Sequence, residues 1–152
     1  MLDLAVTGGV LVDGSGAPAR RAGIGIRDGR IACVVPVEDE VGSAALAAAP
    51  RHVDATGLVV APGFIDIHSH SEYLLLEDGR GQSKIRQGVT TEVFGESESP
   101  GPYAGQYTPP GKTVRGRTER WSTLGEFFTL IERERVSLNV ASFVDWGMSG
   151  KR

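Results

Sequence analysis

Short apolar alternations broken by turn residues dominate the first sixty positions. Leu2, Leu4 and Val6 alternate with Asp3, Ala5 and Thr7, and Gly8-Gly9 interrupts the run before Val10-Leu11-Val12. A period of two marks a strand, whose successive side chains point to opposite faces. Asp13-Gly14-Ser15-Gly16 is a turn cluster, because Asp and Gly tolerate positive φ and Asp bonds its own backbone. Ile24 and Ile26 alternate with Gly25 and Arg27, and Asp28-Gly29 then precedes Ile31-Ala32-Cys33-Val34-Val35. An Asp-Gly pair between two such runs predicts a β-hairpin centred on it. Glu38 to Pro50 is first acidic and then alanine-rich, and reads as a surface loop or one weak helical turn. Val53 to Ala61 returns to strand character and stops at Pro62-Gly63.

From Phe64 onward the pattern becomes strand and helix in alternation. Phe64-Ile65-Asp66-Ile67-His68 is rich in β formers, and residues 81–87 predict a short helix closed by Gly88, where positive φ is needed. Val89 to Phe94 reads as a strand ending at Gly95. Glu96 to about Thr118 is Gly- and Pro-rich, with Pro100, Pro102, Pro109 and Pro110, and reads as one long loop. Thr123-Leu124-Gly125-Glu126 has the form of a capping box, with Leu124, Phe127, Phe128 and Ile131 on one helical stripe behind it. Val140 to Val144 is a last apolar run. Strands alternating with helices imply a parallel sheet, so an all-β leader is followed by a βαβαβ layout.

Composition narrows the function classes. Sixteen basic against nineteen acidic residues leave a formal charge of −3, without the basic footprint that nucleic acid or an anionic membrane demands. Neither partner is expected. No apolar run approaches the roughly 20 residues of a bilayer span, and MLDLAVTGG lacks the layout of a signal peptide. Cys33 is the one cysteine, which excludes an internal disulfide and fits a cytoplasmic protein. Glycine is abundant, at 21 of 152 residues.

Histidine is scarce, at three residues, yet two fall in Asp66-Ile67-His68-Ser69-His70. If the strand continues through them, Asp66, His68 and His70 share one face while Ile65 and Ile67 take the other. Two imidazoles side by side are good ligands for zinc or a similar divalent ion, and Asp66 is placed to orient one of them. At this spacing a strand end with two solvated histidines is the plain alternative. The position favours chemistry, because active sites of α/β proteins gather at the carboxyl ends of parallel strands. The next strand ends in Phe94-Gly95-Glu96-Ser97-Glu98, which delivers Glu96, with Glu98 two residues on, to the same rim. A solvated acidic loop is the alternative there.

The string APGFIDIHSH, Ala61 to His70, resembles the first barrel strand of the amidohydrolase superfamily with its paired metal-binding histidines. VTGGVLVDGSG, IGIRDGRIACV and VDATGLVVAPGFID resemble the leader of those enzymes. SKIRQGVTTEVFGESESPGP and SLNVASFV are similar to the N-acyl-D-amino-acid deacylase (D-aminoacylase) branch. The resemblance implies a β-rich leader over residues 1–61, part of a composite β-sandwich, and over 62–152 the opening βαβαβ of a metal-dependent (β/α)₈ barrel.

It also implies a site. His68 and His70 match the first two metal ligands. Where the branch has a metal-binding cysteine after the second strand, this chain has Ser97, a poor zinc ligand because its hydroxyl stays protonated near neutrality. Glu96 is the substitute ligand expected, as other superfamily members use a carboxylate to bridge their metals. The implied reaction is metal-assisted hydrolysis of a small N-acyl-D-amino acid to a D-amino acid and a carboxylate. One or two zinc ions activate water, and an aspartate from a late strand moves the proton to the leaving amine. That general base is expected beyond the chain end, since no histidine follows His70 and Asp145 matches no family role and reads as a turn residue.

A complete barrel takes about 250 residues, so these 152 are expected to be a truncated or split portion, inactive alone, with the rest of the barrel possible as a separate chain. Two alternatives stand beside this: a cyclic-amide hydrolase of the dihydroorotase or hydantoinase kind, or a non-catalytic fragment serving assembly.

Overall fold

The computed structural model describes residues 1–96, 99–103 and 111–144, which separate into two compact units, Met1–Pro62 and Gly63–Arg152. Ser97, Glu98, Pro109, Pro110 and Asp145, all singled out in the sequence, lie outside the described residues.

In the first unit, six strands form one sheet: β1 (Leu4–Thr7), β2 (Val10–Leu11), β3 (Arg20–Arg27), β4 (Arg30–Pro36), β5 (His52–Asp54) and β6 (Val59–Val60). β3 is the long central strand. It pairs antiparallel with β4 along one edge and with β1 and then β2 along the other, while β5 joins β1 and β6 joins β2 in parallel. The β3–β4 hairpin turns at Asp28 and Gly29, with φ of 51° and 70°, the double positive φ of a type I′ turn. Asp3 Oδ2 accepts the Asp28 N–H at 2.6 Å and ties this turn to the chain start.

The segment read as a loop or a single turn is an eight-residue helix, α1 (Glu40–Ala47). Asp39 caps it by accepting the Gly42 N–H at 2.9 Å, and the alanines that follow are the best helix formers. Burial of Leu46 against Ala5, Val35 and Ala49 supplies the tertiary contact that carries it beyond one turn. A second cluster, Leu11, Ala22 and Ile24, is covered by Val6, Ile26 and Val60.

The second unit is built on a three-stranded parallel sheet, in the order β11 (Asn139–Ser142), β8 (Val89–Phe94), β7 (Phe64–Asp66). Two short helices, α2 (Leu74–Glu77) and α3 (Gln82–Ile85), lie between β7 and β8 in sequence, and α4 (Leu124–Glu134) lies between β8 and β11. This is the alternation that parallel pairing requires. The capping box of α4 is present in full: Thr123 Oγ1 accepts the Glu126 N–H at 3.1 Å, and Glu126 Oε2 accepts the Thr123 N–H at 3.0 Å. Phe127, Leu130 and Ile131 go into a core with Leu75, Leu76, Phe94, Val114, Trp121 and Leu138.

Part of the segment read as a long loop forms a hairpin. β9 (Lys112–Val114) and β10 (Arg117–Glu119) form a hairpin across Arg115-Gly116, held to α4 by buried Glu134. Glu134 accepts from Arg117 at 2.8 Å and pairs with Arg115 at 3.2 Å. Among the described residues no helix is long and apolar enough to cross a membrane.

Candidate metal centre

β7 ends at Asp66, so His68 and His70 do not lie on a continuing strand as their spacing suggested. They sit in the bend just beyond it. The bend still brings the rings together: the two Nε2 atoms are 3.3 Å apart, and the ring planes cross at 73°. Glu96, two residues past the end of β8 and next after Gly95, places Oε2 3.3 Å from His68 Nε2. One ligand atom from each of His68, His70 and Glu96 fits within a mutual distance of 4.8 Å. All three side chains are exposed, and all three follow the carboxyl ends of adjacent parallel strands.

Gly95 makes the turn from β8 into Glu96 possible. Its φ is +79°, and a Cβ there would press into the carbonyl of Phe143. Only glycine takes that conformation at little cost with backbone so close.

The donor set suits a divalent ion. Two imidazoles and a carboxylate are the ligand types that zinc and its neighbours prefer. Two donors each about 2.0–2.1 Å from a tetrahedral ion stand about 3.3–3.4 Å apart, and both short edges here are 3.3 Å.

Behind the rings lies a polar network that periodicity did not reveal. Asp66 accepts the His68 backbone N–H through Oδ1 at 3.1 Å and the Lys84 ammonium through Oδ2 at 2.6 Å. Asp66 thus acts on the backbone of His68 rather than on its ring. Lys84, from α3, reaches Glu92 Oε1 at 2.9 Å as well. Glu92 is fully buried in β8, and the same Oε1 accepts Ser69 Oγ at 2.8 Å and Ser71 Oγ at 3.2 Å. The Lys84 ammonium holds the Asp66 carboxyl below the usual carboxylate range, helped by the His68 N–H. Asp66 first, then Glu92, holds the Lys84 ammonium above its ordinary value. The signal in the sequence was a charged residue inside a run of β formers, Glu92 within Val89–Phe94, where a buried parallel strand has little room for one.

A model of the amidohydrolase family matches residues 51–131, more than half of the chain. The chain belongs to the amidohydrolase family. The chain is 37% identical over 146 residues to N-acyl-D-glutamate deacylase of Alcaligenes xylosoxydans xylosoxydans, an alignment that covers 94% of this chain and 28% of the relative. It is 38% identical over 145 residues to D-aminoacylase of the same organism, covering 93% and 28%. It superposes with a TM-score of 0.76, at 34% identity, on N-acyl-D-glutamate deacylase from Bordetella bronchiseptica, a crystal structure complexed with zinc and a phosphonate inhibitor. That match covers 97% of this chain and 30% of the other. The amidohydrolase chain therefore spans less than a third of the length of these relatives.

Proposed function

We propose that this amidohydrolase chain carries the metal-holding part of an N-acyl-D-amino-acid deacylase, which cleaves the amide of a small N-acyl-D-amino acid to a D-amino acid and a carboxylate. The observation that carries the reading is the convergence of His68, His70 and Glu96 beyond adjacent parallel strands, in a chain 37% identical to an N-acyl-D-glutamate deacylase.

In this reading His68, His70 and Glu96 hold zinc. Such an ion, when bound, supplies Lewis acidity and activates water for attack on an amide carbonyl. Asp66 fixes the backbone of His68, and Lys84 fixes Asp66. Residues 1–61 are the β-rich leader, and residues 62–152 are the opening strands of a (β/α)₈ barrel. The later strands, with the carboxylate that moves the proton to the leaving amine, come from polypeptide outside these 152 residues. Two features support that: the site is open, with His68 and Glu96 side chains 59% and 46% exposed, and β7 carries exposed Phe64 and Ile65 at the edge of the three-stranded sheet. Exposed apolar surface of this kind is where further structure packs.

Two assays test the reading. The zinc-loaded 152-residue chain alone is expected to show no robust hydrolysis of N-acetyl-D-amino acids. Residues 1–144 exchanged into the matching segment of the Alcaligenes N-acyl-D-glutamate deacylase are expected to give a deacylase that loses about a hundredfold or more in turnover on His68→Ala. A folded, active chimera that is indifferent to His68→Ala would overturn the assignment.

A further inference from the structure

The tripeptide His68-Ser69-His70 alternates in exposure as well as in chemistry. The two imidazoles are exposed, whereas Ser69 between them is only 2% exposed. Ser69 is tied to β8 at two points, and its Oγ also lies 3.0 Å from Ser71 Oγ. Its N–H donates to the Val93 carbonyl at 3.2 Å, and its hydroxyl donates to Glu92 Oε1 at 2.8 Å. Glu92 has no solvent exposure, and Lys84 clamps it at 2.9 Å while also gripping Asp66, which accepts the His68 N–H. The same carboxylate system therefore fixes the bend from both sides: Asp66 on the residue before Ser69, and Glu92 on Ser69 itself. Glu92 Oε2 is buried with no hydrogen-bond partner among the described residues. A buried carboxylate with one oxygen so placed is costly to keep for packing alone, and an apolar residue would fill the site at least as well.

We propose that Ser69 and Glu92 are positioning residues, a buried anchor that presets the 3.3 Å separation of the two histidine Nε2 atoms before any ion arrives. Lys84 is the clamp that keeps Glu92 in place. The proposal rests on the reading of His68 and His70 as metal ligands, and it goes beyond that reading by assigning their geometry to groups that touch neither metal nor substrate. Without the Ser69–Glu92 bond the bend keeps the longer Ser71–Glu92 bond at 3.2 Å, the Asp66–His68 N–H tie before it and the Ser69 N–H on Val93. Nothing then holds the Ser69 side chain itself to Glu92, and the two rings must be ordered by the ion at the expense of its affinity. Groups that orient ligands from behind carry about ten- to a hundredfold in metal affinity.

The test uses the full 152-residue chain and cobalt(II) as the probe, with its visible absorption reporting ligand geometry. Ser69→Ala, the smaller deletion, and Glu92→Gln are compared with Ser69→Thr, which keeps the hydroxyl, and with the His68→Ala/His70→Ala double variant. Ser69→Ala and Glu92→Gln are expected to bind cobalt about tenfold or more weakly and to alter its absorption band, with Ser69→Thr retaining most of the affinity. A second readout needs no metal: in the metal-free chain, amide exchange at His68 and Ser69 should rise in Ser69→Ala while Phe127 and Ile131 in α4 keep their protection. A general loss of stability would raise exchange in α4 as well.

Ser69→Ala that binds cobalt like the parent chain, with unchanged exchange at 68–70, overturns the anchor. Parent chain that binds no cobalt, or binds it as well without both histidines, overturns the metal reading instead. The exchange comparison then still decides whether Ser69 holds the two rings.

Discussion

At the scale of single residues, the candidate metal centre depends on few atoms and on the groups that keep them still. Glu96 reaches His68 only because Gly95 turns the chain at φ +79° beside the Phe143 carbonyl. Gly95→Ala forces a side chain into that region and into the backbone, a strain of about 1–2 kcal/mol before any clash. Its expected effect is a loss of cobalt affinity with most of the fold intact, measured by competition with a chelator and by circular dichroism; unchanged affinity would show that Glu96 is not held by this turn. The histidine pair was legible in the sequence because three histidines in 152 residues rarely cluster and because the spacing has a chemical meaning. The reason they meet was not legible: a bend, rather than the pleat of a strand, brings the rings together. Lys84 and Glu92 were illegible for a deeper reason. Their pairing joins α3 to β8, and no periodicity encodes which buried carboxylate a distant lysine will reach.

At the scale of elements, local signals worked where they were strong and failed where tertiary contacts decide. The Asp28-Gly29 hairpin and the Thr123 capping box are complete local programmes, and both formed. α1 and the β9–β10 hairpin were missed because each owes its persistence to something far along the chain, Leu46 to the Ala5 and Val35 cluster and the Arg115-Gly116 turn to Glu134. Two outcomes test the cap of α4. Thr123→Ala is expected to cost about 1 kcal/mol in urea unfolding. The Glu126 carboxyl, held below its ordinary value by the Ser122 and Thr123 backbone N–H groups, has a folded pKa depressed relative to the unfolded chain. Its contribution is thus complete above the ordinary carboxylate range and is lost as pH falls through the folded pKa. The stability gap between the parent chain and Glu126→Gln should shrink as pH is lowered through that range, and a gap independent of pH would contradict the cap.

At the scale of the whole molecule, two compact units carry separate cores, and the candidate metal centre lies wholly in the second. Its stability depends on Phe127, which is fully buried and meets Phe94 edge-on at 6.4 Å. Phe127→Ala is expected to remove about 3–5 kcal/mol, most or all of what a small unit has, seen as loss of cooperative unfolding in that unit. The alternation of strand and helix after Phe64 was legible because short runs of β formers, at 64–66, 89–94 and 139–142, are separated by helical segments, one of them with its own capping box. How many strands surround the site was not, because 152 residues span less than a third of the relatives' length. The central claim is that His68, His70 and Glu96 hold a divalent ion, and a competitive zinc titration of the full chain tests it most directly. The account predicts one zinc per chain, lost in His68→Ala/His70→Ala and weakened in Glu96→Ala. Zinc bound equally well without the two histidines, or not bound by the parent chain at all, would contradict it.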